Sequence, residues 1–341
     1  MEFPNKDIMR DCTIDIYRGL CLSLVVLGHS PYLPVDIRQV IYSFHMPAFF
    51  ILSGYLFKNN GRKTQNYIYS RFRRLVIPAW TFGIICSVPF IAASLTGFYS
   101  ITTQVLLDKL YGTLTGYPLL VGNFYTTPLW FLFCLFIVEC ISFTVNNILP
   151  RYFYITLLFI GVIGIILTKV DIPITPFNVP IALVAINYYL LGIIIKKLDL
   201  SFTIKRAAIF ILPLLMCYGY FYEFSTKTID ISQRELGDPV FIGLVLSCLG
   251  SFIVLAISKL LSYWSGLYVI YWVKWFGINS IVVIGFDYLT NLVLLTAFNI
   301  VGFEVGYTII FVSRLLLLSL LIYMISKIKI LDYLINNGKM G

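Results

Sequence analysis

The chain holds two histidines, and one of them, His29, stands eleven positions after Arg18 in the apolar run RGLCLSLVVLGHS. A neutral imidazole can take a proton from a hydroxyl, its unperturbed pKa of about 6.5 suiting that task near neutrality. A guanidinium grips phosphate or carboxylate through paired hydrogen bonds. On a helix, eleven positions close about 20° past three full turns, which puts both side chains on one face, about 16 Å apart along the axis. The ten residues between them cover only about half of a hydrocarbon layer roughly 30 Å thick. At least one of the two groups therefore sits at membrane depth, where polar side chains are costly and face a bundle interior or a watery cavity. The bland alternative has Arg18 snorkelling to one interface and His29 capping the other end.

Further chemistry-bearing residues follow in the same chain. TIDIYRG places Asp15 three positions before Arg18, a helical neighbour able to orient and partly neutralise the guanidinium. YSRFRRLVIP supplies Arg71 and Arg74 one turn apart, with Pro78 close behind. Two arginines on one face at a helix start suit phosphate binding, and they equally suit plain anchoring at a basic interface. His45 lies in FHMPAFF, where a hydrogen bond to a neighbouring helix competes with a role in binding an acceptor beside His29, and Pro47 is expected to distort the helix. Ser53 and Gly54 read as close helix packing rather than as a nucleophile. Glu139, Asp287 and Arg314 fall inside apolar stretches; Glu139 and Asp287 are candidates for the acceptor side, or members of a structural charge network with Arg314.

The elements that must position these groups are transmembrane helices. Of the 341 residues, 59% are hydrophobic and only 12% charged, about half the charge of a soluble domain. Apolar stretches recur near 13–31, 38–57, 75–97, 128–149, 152–169, 178–196, 206–223, 240–260, 277–298 and 305–326. The fold class expected is an all-α polytopic membrane protein of about ten spans, one integral domain over 1–341. The aromatic stretch 263–276 is expected at an interface. No signal-peptide pattern opens the chain, so the first span is expected to be retained. The seven cysteines lack CxxC spacing and read as small core side chains, so neither a metal site nor a bound cofactor is expected.

Charge sets the expected orientation. The connector 58–74 carries Lys58, Arg62, Lys63, Arg71, Arg73 and Arg74 with no acid, and Arg151, Lys196, Lys197, Lys205, Arg206, Lys259, Lys274, Lys327, Lys329 and Lys339 fall on the same side, against Asp199 and Asp332. On the other side Asp36 cancels Arg38, Asp108 cancels Lys109, Asp171 cancels Lys169, and the segment 223–239 and Glu304 are acidic. Both termini are expected in the cytoplasm. The net charge of +9 is thus a product of topology and argues for no nucleic acid partner.

The order DIYRG, ten residues from Arg18 to His29, FHMPAFFILSGYLF and RFRRLVIP resembles the type 3 acyltransferase family of bacterial integral membrane acyltransferases. PLWFLFCLFIVE and FGINSI are similar to its sugar O-acetylating members, those like fucose 4-O-acetylase. The resemblance implies that Arg18 and His29 are the family's paired motif and Arg71 with Arg74 its second. It implies acyl-CoA, usually acetyl-CoA, as co-substrate, a carbohydrate hydroxyl as acceptor, and a place in the bacterial inner membrane. The phosphate-rich end of the donor would meet Arg18, Arg71 and Arg74, and its thin arm would carry the thioester up to His29. A multi-pass transporter or flippase for a sugar or small polar substrate is the competing class. Such proteins show inverted repeats and helices broken in matching halves, and this chain has no matching halves.

Overall fold

Backbone that crosses lipid must close its hydrogen bonds within itself, and these apolar runs do so as helices. The computed structural model describes residues 12–59, 61–96, 102–119, 122–171, 175–198 and 203–336. Asp199 and Lys339, used above for orientation, and the first eleven residues lie outside the described ones. Among those described there are fourteen α-helices: α1 (Cys12–Gly28), α2 (Val35–Tyr55), α3 (Thr64–Arg71), α4 (Ile77–Leu95), α5 (Thr103–Thr115), α6 (Trp130–Ile148), α7 (Phe153–Leu167), α8 (Val179–Lys197), α9 (Ile204–Tyr222), α10 (Val240–Ser262), α11 (Tyr268–Ile278), α12 (Ser280–Val301), α13 (Tyr307–Lys327) and α14 (Lys329–Asn336). A two-stranded antiparallel ribbon, β1 (Ile229–Asp230) with β2 (Glu235–Leu236), interrupts the segment between α9 and α10.

Each of the ten expected spans coincides with a helix, but among the described residues eight helices, not ten, are by length and composition apolar enough to cross a membrane. The two outside that set are α1, of 17 residues, and α2, whose first turns carry Asp36, Arg38 and Gln39. Both lie inside the bundle, α1 against α2, α10, α11, α12 and α13, and α2 against α8 and α10. A helix sheathed by other helices has no need of an apolar surface all round. The rim is the reverse: α7, α9 and α13 are mostly exposed and strongly apolar, as lipid-facing helices are.

Three segments differ from expectation. The basic connector over 58–74 is helical from Thr64 and runs through a π turn, Phe72–Val76, into α4. Pro78 is the cause: it has no N–H for the carbonyl of Arg74, and its ring crowds that oxygen. The chain widens by one residue instead, and Ile77 N–H reaches back to the carbonyl of Phe72. The expected outer loop 98–127 contains α5, capped by the Thr102 hydroxyl on the Val105 N–H and closed by Gly116 at φ 74°. The aromatic stretch expected at an interface becomes α11, which exposes Tyr268 and Tyr271 but buries its other face on α1. Gly19 and Gly277 allow that contact, since a Cβ on either would strike the backbone of the opposing helix.

Pro47 leaves α2 continuous. The carbonyl it frees, that of Ser43, accepts a hydrogen bond from Ser247 Oγ of α10 at 2.6 Å. Gly54 lets α2 lie against the Tyr189 backbone of α8, in line with the packing role expected of it.

Candidate functional site

Among the described residues, two cavities meet α1, one towards each of its ends. The first, of about 370 Å³, is lined by His29, Tyr42, His45, Phe49, Trp130, Asp230, Ile284 and Tyr288 among others. The second, of about 540 Å³, is lined by Arg18, Ser53, Arg71, Arg74, Glu139, Asn279 and Ser280, and again by Phe49 and Ile284. Phe49 and Ile284 therefore form the partition between them. The helical arithmetic from sequence puts Arg18 and His29 on one face of α1, and here that face opens into both cavities.

At the His29 end, the imidazole follows directly on α1 and its side chain is 13% exposed. Nδ1 lies 2.6 Å from Oδ2 of Asp287 on α12, a fully buried carboxylate. A carboxylate only accepts, so Nδ1 carries a proton, and in the neutral imidazole Nε2 then holds the lone pair. Arg314 on α13, also fully buried, fixes the other carboxylate oxygen: Nη2 donates to Oδ1 at 2.5 Å and to the Asp287 carbonyl at 3.1 Å. Its Nη1 donates to the Val26 carbonyl at 2.7 Å and to Ser30 Oγ at 3.1 Å, tying the end of α1 to α12 and α13. The buried charges of the late spans do pair, and the pair also holds His29. Sequence reasoning placed Asp287 as an acceptor-side or structural group and missed this hydrogen bond, because its partners lie 258 residues apart.

His45 is 5% exposed and lines the same cavity. Its Nδ1 donates to the Ile41 carbonyl of its own helix at 2.8 Å, a correction to the expected bond with a neighbouring helix. The tautomer this selects leaves Nε2 of His45 as an acceptor. Tyr42 stands between the two imidazoles, its ring centroid 6.0 Å from His29 and 5.1 Å from His45, and Tyr288 lies 5.1 Å from His29.

At the Arg18 end, Asp15 is fully buried and its Oδ1 lies 3.8 Å from Nη1 of Arg18. Arg71 Nε is 3.0 Å from Oε2 of Glu139. Glu139 thus belongs with the arginines and not with His29, which favours the structural one of its two expected roles over the acceptor side, with Arg71 rather than Arg314 as its partner. The reason is register: on α6 it falls nine positions beyond Trp130, which lines the opposite cavity. The π turn sets the outlook of Arg71 and Arg74, since the extra residue per turn rotates α3 relative to α4. Asn279 and Ser280, whose motif was quoted from sequence without a role, begin α12 here with no side-chain cap. The cavity therefore gathers three guanidinium groups and an open helix N-terminus, a setting that favours an anionic group. Ile335 of α14 completes its lining.

Sequence reasoning also missed Asp230, which the β1–β2 ribbon brings to the His29 cavity. Burial raises its carboxyl above the usual range, opposed by hydrogen bonds from the Ser232 hydroxyl and backbone N–H. Nothing in the local pattern of 223–239 marks it, because the segment reads as a polar connector.

The family model for the type 3 acyltransferases, described as an acyltransferase domain, matches residues 13–326. No curated protein and no solved structure gives a match. The matched segment contains the whole lining of the first cavity, that of the second apart from Ile335, the His29–Asp287–Arg314 chain of hydrogen bonds and all three arginines, and the chain belongs to the type 3 acyltransferase family of membrane acyltransferases.

Proposed function

We propose that this acyltransferase moves an acetyl group from acetyl-CoA to a hydroxyl of a carbohydrate, with His29 as general base. The observation that carries the reading is the pairing of two cavities across Phe49 and Ile284. One is built for phosphate by Arg18, Arg71 and Arg74; the other presents an imidazole whose tautomer is set by Asp287. The nucleotide phosphates dock in the first, on the basic and hence cytoplasmic side, and the pantetheine arm passes the partition. Nε2 of His29 takes the proton of the acceptor hydroxyl as its oxygen attacks the thioester carbonyl carbon. The tetrahedral intermediate collapses with cleavage of the C–S bond, and the departing thiolate takes the proton back from the imidazolium. Asp287 stabilises that imidazolium while Arg314 holds Asp287 in place. Asp15 steadies Arg18. The acceptor belongs to the envelope or to an exported glycan, and the protein works in the bacterial inner membrane.

The test is release of free CoA by the purified full chain in lipid nanodiscs, supplied with acetyl-CoA and hexose or 6-deoxyhexose glycosides. His29→Ala should lower transfer by about 10²–10⁴-fold, the usual worth of a general base, while binding of acetyl-CoA stays at the wild-type level. Near-wild-type turnover in well-folded His29→Ala would overturn the assignment and favour a transporter.

A further inference from the structure

We propose that Asp230 is the acceptor-recognising carboxylate of the His29 cavity, and that the acceptor is a ring bearing a second hydroxyl beside the one that is acylated. The inference rests on the reading that His29 activates a hydroxyl. Its own ground is the ribbon between α9 and α10, which puts Asp230, Ser232 and Gln233 on the cavity wall. The Asp230 carboxylate is held at one oxygen only: Oδ1 accepts the Ser232 N–H at 2.9 Å and the Ser232 hydroxyl at 2.7 Å. Among the described residues, Oδ2 takes neither a hydrogen bond nor an ion pair.

Asp230 is half-buried at the cavity wall, and a carboxylate held at one oxygen keeps the other ready for a donor that enters the cavity. The ribbon does not let this one swing away, because Ile229, Ile231 and Leu236 are buried around it and Leu236 lies hard against Gly243 of α10. Its free oxygen is therefore a fixed acceptor in the same chamber as the lone pairs of His29 and His45. Tyr42, Trp130 and Tyr288 supply aromatic faces on the same walls. Aromatic faces pack against the C–H side of a sugar ring while a carboxylate takes its hydroxyl protons. A simple alcohol satisfies His29 and leaves Oδ2 empty. A pyranose satisfies both, with the hydroxyl next to the reacting one on Asp230.

The experiment uses the full chain in nanodiscs with acetyl-CoA, a set of methyl hexosides and methyl 6-deoxyhexosides, and the monodeoxy forms of the best acceptor. Asp230→Asn keeps the shape and removes the charge. A hydrogen bond to a charged group is worth roughly tenfold or more in binding, so the acceptor KM of Asp230→Asn should rise by about that factor. The acetyl-CoA KM should not change, and a thermal midpoint equal to that of wild type reports correct folding. Wild type should discriminate against one monodeoxy analogue, and that discrimination should shrink in Asp230→Asn, as a lost pairwise contact requires. An unaltered acceptor KM with undiminished discrimination overturns the inference and leaves acyl transfer standing. A wild type that acetylates none of the sugars overturns the functional reading and this inference with it.

Discussion

Asp287→Asn offers the sharpest probe of the hydrogen-bond chain behind His29, because Arg314 dictates which way the new amide points. A guanidinium only donates, so the amide oxygen must stay where Oδ1 now meets Nη2 at 2.5 Å. The amide NH2 then occupies the place of Oδ2, 2.6 Å from Nδ1 of His29. Two donors cannot share that gap. His29 must turn Nδ1 into an acceptor and carry its proton on Nε2, where the lone pair was. The base is abolished with its ring still in place, and turnover per folded molecule should fall by about 10²–10⁴-fold. Stability should fall too, by about 3–5 kcal/mol, because a fully buried Arg314 has lost its counter-charge. Adding Arg314→Met reverses both effects in part. The buried cation is gone, and the amide is free to offer its oxygen to Nδ1 and restore the useful tautomer. Asp287→Asn with Arg314→Met should therefore be at least tenfold more active than Asp287→Asn, and better folded, while remaining below wild type because a neutral amide stabilises imidazolium poorly. The assay is single-turnover acetyl transfer normalised to folded protein, with thermal unfolding in detergent alongside. Retention of more than a tenth of wild-type turnover in Asp287→Asn, or a double variant no better than the single, would refute the reasoning.

Two further variants test the other parts of the molecule. Arg71→Ala with Arg74→Ala removes two of the three guanidinium groups of the second cavity and, on the proposed function, should raise the acetyl-CoA KM by more than tenfold with kcat little changed; unchanged donor dependence would mean that these arginines only anchor the helix. Gly277→Leu drives a side chain into the backbone of α1 around Asp15 and Gly19, which should cost at least about 1–3 kcal/mol and displace Arg18; a thermal midpoint within a degree or two of wild type would show that α11 is not held there.

The residues that were legible in the sequence are those whose cost is local. Arg18, His29, Arg71 and Arg74 stand out because charge within an apolar run demands a reason, and helical periodicity alone then orders them along an axis. The same periodicity located every long helix. What it could not supply is which helices meet. Glu139 and Asp287 were equally visible as carboxylates in lipid, yet one pairs with Arg71 and the other with His29 and Arg314, an outcome decided by the docking of α6 and α12 around α1. Pro78 was visible near a helix start, and only the fold reveals the π turn that precedes it. Asp230 was least legible of all, since an acid in a polar connector carries no penalty until a ribbon buries it.

Phe49 and Ile284 have an electrical consequence. A bilayer drops its potential across whatever dry path is shortest, and each elementary charge crossing it involves about 2.3 kcal/mol per 100 mV. With a cavity on either side of Phe49 and Ile284, the dry path is shorter than the full hydrocarbon thickness, and a shorter dry path means a steeper field. Ions and protons meet an apolar septum at the point where the driving force is greatest. On the proposed chemistry a thioester carries no charge, so the field would do no work on it, while the phosphates of a nucleotide donor would stay with the arginines on their own side. The septum would then sort by charge.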